Sequence, residues 1–214
     1  MKRIFALLAF ASLALAQQRN PPTITPVTIG VMNQSSTPNV TVQQWIAAIQ
    51  SQVSNEFRQA WHLNATIVFG EGGDWQCVIQ DVNGPIHGTH DATSGIPKCM
   101  ATSSASLSHE IMEMLVDPYL DAIGMQELNG VTANLFLREI CDPVSMFGYY
   151  GINGVILSDF TYPAFWGHGS GQLDYLNEAT AVMQPAQNGY LLTRQATSYQ
   201  GWVNWGYVGI FNPF

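Results

Sequence analysis

The chain has 214 residues, 10% of them charged, with 15 Asp and Glu against 7 Lys and Arg and a formal net charge of −8. A chain of this size can bury one large core. Its acidic balance and the lack of any basic patch exclude nucleic acid and anionic membrane surfaces as expected partners.

Taken in order, the first residues read MKRIFALLAFASLALAQQ. Two basic residues, a short apolar run and Ala14-Leu15-Ala16 predict a signal peptide over 1–16, cut before Gln17. The run is too short to span a bilayer. The expected mature protein is exported, secreted outright or periplasmic, with no membrane association beyond the cleaved signal. Residues 17–23 are polar and Pro-rich and predict a flexible leader. A single domain is expected over 24–214, since nothing repeats at a fixed period and no long linker divides the chain. Without the signal the net charge moves to about −10, and Lys98 is the only lysine left.

The segment ITPVTIGVMN, 24–33, has β-branched residues and a polar end and predicts a strand. Residues 41–62 predict a helix: Thr41 suits the N-cap, and Val42, Trp45, Ile46, Ile49, Val53, Phe57 and Trp61 recur every three or four residues. ATIVFG and WQCVIQDV predict strands separated by the turn EGGD. GPIHGTHDATSGIP, 84–97, predicts one long Gly-rich loop, and KCMAT a short edge strand before the next helix. Later, NLFLREICDPV leads to a hairpin turning at Asn153-Gly154. LDYLNEATAVM predicts a further helix, and GYLLTRQ and GWVNWGYVGIF closing strands.

Three cysteines occur, and export permits disulfides. Cys77 with Cys99 closes a loop of about twenty residues, leaving Cys141 over, although other pairings stay open at this level. Without a C-x-x-C pair, a cysteine-built zinc site is not expected.

The chemistry is concentrated in SASLSHEIMEMLVDP, 104–118, which contains H-E-x-x-E. On a helix His109 and Glu113 lie one turn apart on one face, as two donors to a single metal must. Glu110 is rotated about 100° away, where its carboxylate can act as general base on water activated by the metal. A Glu in place of the second His of H-E-x-x-H keeps a donor but makes it oxygen, which zinc accepts while harder divalent ions gain ground. The competing reading is a solvated polar face opposite the stripe Leu107, Ile111, Met114 and Leu115. Asp117, before Pro118, belongs to the helix exit.

A third ligand is required. Glu139 follows the helix at a suitable interval, with Asp142, Asp121 and Glu127 also near in sequence. His87 and His90, beside Asp91, are rival ligands or substrate-side groups if the Gly-rich loop folds over the helix, and His168 has the same standing on less support. There is no G-x-S-x-G elbow and no phosphate-binding G-x-x-x-x-G-K. Cys141 as a thiol nucleophile and the aromatic C-terminus as a sugar platform are weaker readings than a leftover cysteine and strand packing.

The run LSHEIMEMLVDPYLDA, then LREICDPV, then GVILSDFTYPAFW resembles exported bacterial proteins that carry a Ser-His-Glu-x-x-Glu helix ending in Asp-Pro and a following Glu-Ile-x-Asp segment. It is more distantly similar to plant phosphate-induced, Exordium-like secreted proteins. The resemblance spans Trp75 to Phe165. It implies a zincin-like α+β domain with a mixed sheet, with His109, Glu110, Glu113 and Glu139 acting as a unit and Gly88 to Asp91 as a Gly-x-His-Asp turn. Cys141 stands before Asp142, where the plant pattern has its Cys after the Asp, so no role carries over to it.

The expectation is a secreted zinc-binding protein with a metallopeptidase-like hydrolase site acting on a peptide or protein substrate. His109, Glu113 and Glu139 are its ligands, Glu110 its base, and His90, Asp91 and Asp142 its supporting or substrate-side groups. The alternative is a non-catalytic secreted or cell-surface binding protein, with a structural metal or none. An open coordination position in a cleft separates the two readings.

Overall fold

The computed structural model describes residues 26–82, 87–127, 132–145, 147–199 and 202–211. The signal segment 1–16 and the leader 17–23 lie outside the described residues. Strand β1 (Val27–Asn33) is followed by helix α1 (Asn39–Gln52), which continues through a π turn at Val53–Phe57 into α2 (Arg58–Trp61). The expected stripe is real: Val42, Ile46, Ile49, Val53 and Phe57 are buried, with Trp45 and Trp61 packed against them. The helix begins earlier than Thr41, however. Pro38 supplies the cap position, and its carbonyl accepts from the Thr41 and Val42 amides at 2.9 and 3.1 Å.

Strands β2 (Ala65–Phe69) and β3 (Trp75–Ile79) flank β1 on either side, both parallel to it. A crossover between parallel strands ordinarily needs a dozen or more residues, yet only 70–74 joins these two. The path is short because it passes directly over β1 at Gly30. A Cβ there would stand 2.6 Å from the Gly72 carbonyl oxygen and 2.9 Å from that of Gly70. The absence of a side chain at Gly30 therefore lets one backbone cross another.

The segment expected to be one long loop contains a strand, β4 (Gly88–Asp91), antiparallel to β5 (Lys98–Ala101). β5 also pairs in parallel with β3, so the order is β2-β1-β3-β5-β4 and the edge is β4, not the KCMAT strand. Asp91 stabilises the turn after β4 by accepting from the Thr93 amide and hydroxyl at 2.9 and 2.7 Å. Cys77 and Cys99 face each other in register across β3 and β5 and form the disulfide. Helix α3 (Ser104–Val116) follows, capped by Ser103, which accepts from the Ser106 amide while the Ser106 hydroxyl accepts from the Ser103 amide.

After α3 come β6 (Ile123–Glu127) and β7 (Thr132–Leu137), then a hairpin of β8 (Gly148–Tyr150) and β9 (Ile156–Ser158). Its turn falls where expected, with Asn153 and Gly154 both at positive φ, 60° and 70°. β10 (Leu191–Tyr199) and β11 (Trp202–Phe211) close the chain, completing an antiparallel sheet in the order β11-β10-β7-β6. Residues 173–183 do not form the expected helix. Asp174 accepts from the Glu178 and Ala179 amides, and Asp159 from the Leu176 amide, so side-chain acceptors take the place of helical carbonyls. The architecture is mixed α+β with a mixed sheet. Among the described residues, no helix is long and apolar enough to cross a membrane.

Candidate metal centre

No residue of α3 is exposed, which overturns the reading of its polar residues as a solvated face. Leu107, Ile111, Met114 and Leu115 pack into the core as expected, while Glu110 and Glu113 are only 5% and 3% exposed. Burying two carboxylates on one helix is costly unless something answers their charge.

Three elements supply the partners. On α3, His109 Nε2 stands 3.2 Å from Glu113 Oε2, one helical turn away. On edge strand β4, the alternation of side chains sends His90 inward and Asp91 to the other face. His90 Nδ1 lies 3.2 Å from Glu110 Oε2 and 4.0 Å from Glu113 Oε2, and its Nε2 lies 3.8 Å from Glu139 Oε2. From the segment after β7, the Cys141 and Asp142 amides donate to Glu113 Oε1 at 3.0 and 3.3 Å. The same segment puts Asp142 Oδ1 3.3 Å from His109 Nε2 and buries Glu139.

These residues line a cleft of about 210 Å³, together with Gly88, Thr89, Leu120, Leu137, Tyr190 and Leu192. Gly88 leaves room for the Glu110 carboxylate, which a Cβ there would displace. Two sets of three side chains could each hold a metal ion: His90, Glu113 and Glu139, and His109, Glu113 and Cys141. Within each set the donor atoms lie within 4.8 Å of one another.

The electrostatics describe a negative centre short of cations. Burial, then Glu113 and Asp142, push the Glu139 carboxyl up to about 11. Burial and Glu113 likewise raise Asp142 to about 6, against the bond from His109. Burial alone would lower His109, but Glu113 and Asp142 outweigh it and hold the imidazole well above its ordinary value. His90 is raised in the same way, by Glu110 and Glu113 against burial. Burial raises Glu110, whereas in Glu113 the two imidazoles and the Cys141 amide overcome burial and lower the carboxyl. Burial and the surrounding acids raise the Cys141 thiol well above its ordinary value, and it donates to the His109 carbonyl oxygen at 3.7 Å.

Of the expected site residues, His109, Glu110, Glu113 and Glu139 are thus gathered in one cleft, joined by His90 and Asp142. Asp91 is not, since it serves the turn after β4. Among the rivals, Asp121 is exposed and so is His87, whose carbonyl accepts from the Thr102 amide. His168 meets Arg138 Nη2 at 3.4 Å outside this lining, and the side chain of Glu127 lies outside the described residues. Asp117 holds the helix exit, its Oδ1 accepting from the Asp121 and Ala122 amides at 2.8 and 3.0 Å. Sequence reasoning missed Tyr190, whose hydroxyl bonds Asp142, and the Asp117 carbonyl, 3.3 Å from His90 Nε2. Neither carries a local pattern that would mark it.

Compared with known proteins, the chain matches no family model, no curated protein and no solved structure.

Proposed function

We propose that this protein is an exported metal-dependent hydrolase of zincin-like organisation, acting on peptide or amide bonds. Its centre is built on Glu113 and Glu139 with imidazole from the flanking histidines, of which His109 is the one expected from H-E-x-x-E. The observation that carries this reading is Glu139 Oε2, a buried carboxylate oxygen without a hydrogen-bond partner in a cleft shared with three other carboxylates. The lining holds neither Lys nor Arg to compensate them. A nitrogen and oxygen donor set with an uncompensated acid fits a divalent cation, zinc first. When bound, such an ion supplies Lewis acidity and makes water a nucleophile near neutral pH.

The remaining chemistry belongs to the chain. Glu110 is raised by burial and held by His90, which suits it to taking a proton from water and returning it to a leaving amine. Leu120, Leu137 and Leu192 form apolar walls that exclude bulk water and receive an uncharged side chain. The cleft is open, and the His109 side chain that helps line it is 15% exposed, which favours a catalytic over a closed structural centre. Export is supported by the Cys77–Cys99 disulfide, a bond of oxidising compartments.

The test is Glu110→Gln assayed on a peptide library. The substitution should leave metal content unchanged and lower chelator-sensitive cleavage by about 10³-fold. Full activity in the variant would remove Glu110 from the proton-transfer role, and no cleavage by the metal-loaded wild type would leave a binding protein.

A further inference from the structure

We infer that the cleft holds two divalent cations rather than one, with Glu113 shared between them: one ion on His90, Glu113 and Glu139, the other on His109, Glu113 and Cys141. The inference rests on the metal-centre reading above and deepens it.

Three observations point the same way. The first is hydrogen bonding at the two imidazoles. The Asp117 carbonyl can only accept, so the His90 Nε2 that stands 3.3 Å from it carries the hydrogen. Nδ1 is then the nitrogen left to take a metal, 3.2 and 4.0 Å from the carboxylates of Glu110 and Glu113. His109 repeats the pattern. Ser158 Oγ gives its hydrogen to the Asp159 carbonyl at 2.9 Å and stands as an acceptor 3.5 Å from His109 Nδ1. Nε2 is therefore the nitrogen left to take a metal, 3.2 and 3.3 Å from Glu113 and Asp142. An outer N–H tied to an oxygen acceptor is how metal-bound histidines are oriented, and here it occurs twice.

The second observation is the number of donors. Glu110, Glu113, Glu139 and Asp142 bring four carboxylates into one cleft, at residues no more than 5% exposed, and with the two imidazoles they exceed what one four-coordinate ion takes. The third is Cys141, a buried thiol with no disulfide partner, whose sulfur lies beside the start of the same turn of α3, 3.7 Å from the His109 carbonyl oxygen. Its sulfur reaches the His109 and Glu113 donors but does not belong to the group containing Glu139. Glu113 is suited to sharing because the Cys141 and Asp142 amides fix its Oε1, while both imidazoles face its Oε2.

The experiment is zinc content by plasma mass spectrometry on the full mature chain, after loading with zinc and removing excess. Two zinc ions per chain are expected in the wild type, one in His90→Ala and one in Cys141→Ala. One ion in the wild type overturns the shared centre and leaves the proposed function standing, whereas none overturns both. Two ions retained in Cys141→Ala would remove the thiol from the ligand set. If a variant fails to fold, cobalt(II) titration of the wild type takes its place. Uptake should end at two equivalents with a thiolate-to-cobalt charge-transfer band, and saturation at one equivalent without that band overturns the inference.

Discussion

Glu110 and Gly88 form a pair in which one residue exists to make room for the other. Glu110 sits at the edge of the sheet because residue 88 has no side chain. A methyl group there leaves the backbone of β4 free to stay in place and displaces the flexible carboxylate instead. Gly88→Ala should therefore lower kcat by about 10- to 100-fold, with KM, zinc content and melting temperature close to wild type. Equal loss of kcat and of bound zinc would show that β4 itself had moved. At this scale the sequence was informative for α3, where the spacing of His109, Glu110 and Glu113 already fixed their relative directions. It was silent on Gly88, because nothing local relates residue 88 to residue 110.

At the scale of elements, the centre depends on how β4 is anchored. β4 contributes His90 but is only four residues long and pairs on one side alone, with β5. His90 is opposite Cys99, and Cys99 is opposite and bonded to Cys77. The disulfide thus lies in the same cross-sheet row as the histidine and holds β5, the partner of β4, against β3. Replacing both cysteines by alanine should cost about 3 kcal/mol of stability, from the loop it closes, read by urea denaturation. It should also weaken zinc binding more than the substitution of Asp91, which serves only the turn. The Cys77–Cys99 bond could be anticipated from spacing and compartment, but β4 could not. Gly, His and Asp in GTHD speak for a turn, and only pairing with KCMA makes the segment a strand. The 173–183 helix failed for the converse reason: apolar residues recur at suitable intervals, but Asp159 and Asp174 capture the amides that a helix would use.

Across the described residues, seven of the acids are buried, and no Lys or Arg is buried with them. Apart from β4, the order of strands and helices up to α3 was readable from periodicity, because each of those elements is local. The second sheet joins β6 and β7 to β10 and β11, and that long-range pairing left no mark in either segment alone. A second buried acid pair shows what this interior costs. Asp159 and Asp174 are both fully buried, and Asp159 Oδ2 has no partner unless a proton joins it to Asp174. Burial, then Asp174, hold the Asp159 carboxyl up at about 8. A carboxyl raised in the folded state binds its proton more tightly there than in the unfolded chain. Its contribution to stability is therefore complete below about pH 4 and is lost as pH rises toward about 8. The limiting slope is about 1.4 kcal/mol per pH unit. Asp159→Asn keeps an acceptor for the Phe160 and Leu176 amides and offers Asp174 a permanent donor. The variant should match or exceed the wild type near pH 8 and lose part of the decline in stability between about pH 5 and about pH 8. Urea denaturation at both pH values, with zinc removed from both proteins, measures that difference. Parallel pH profiles for the two would show that the proton between Asp159 and Asp174 plays no part in holding the 159–179 segment to the core.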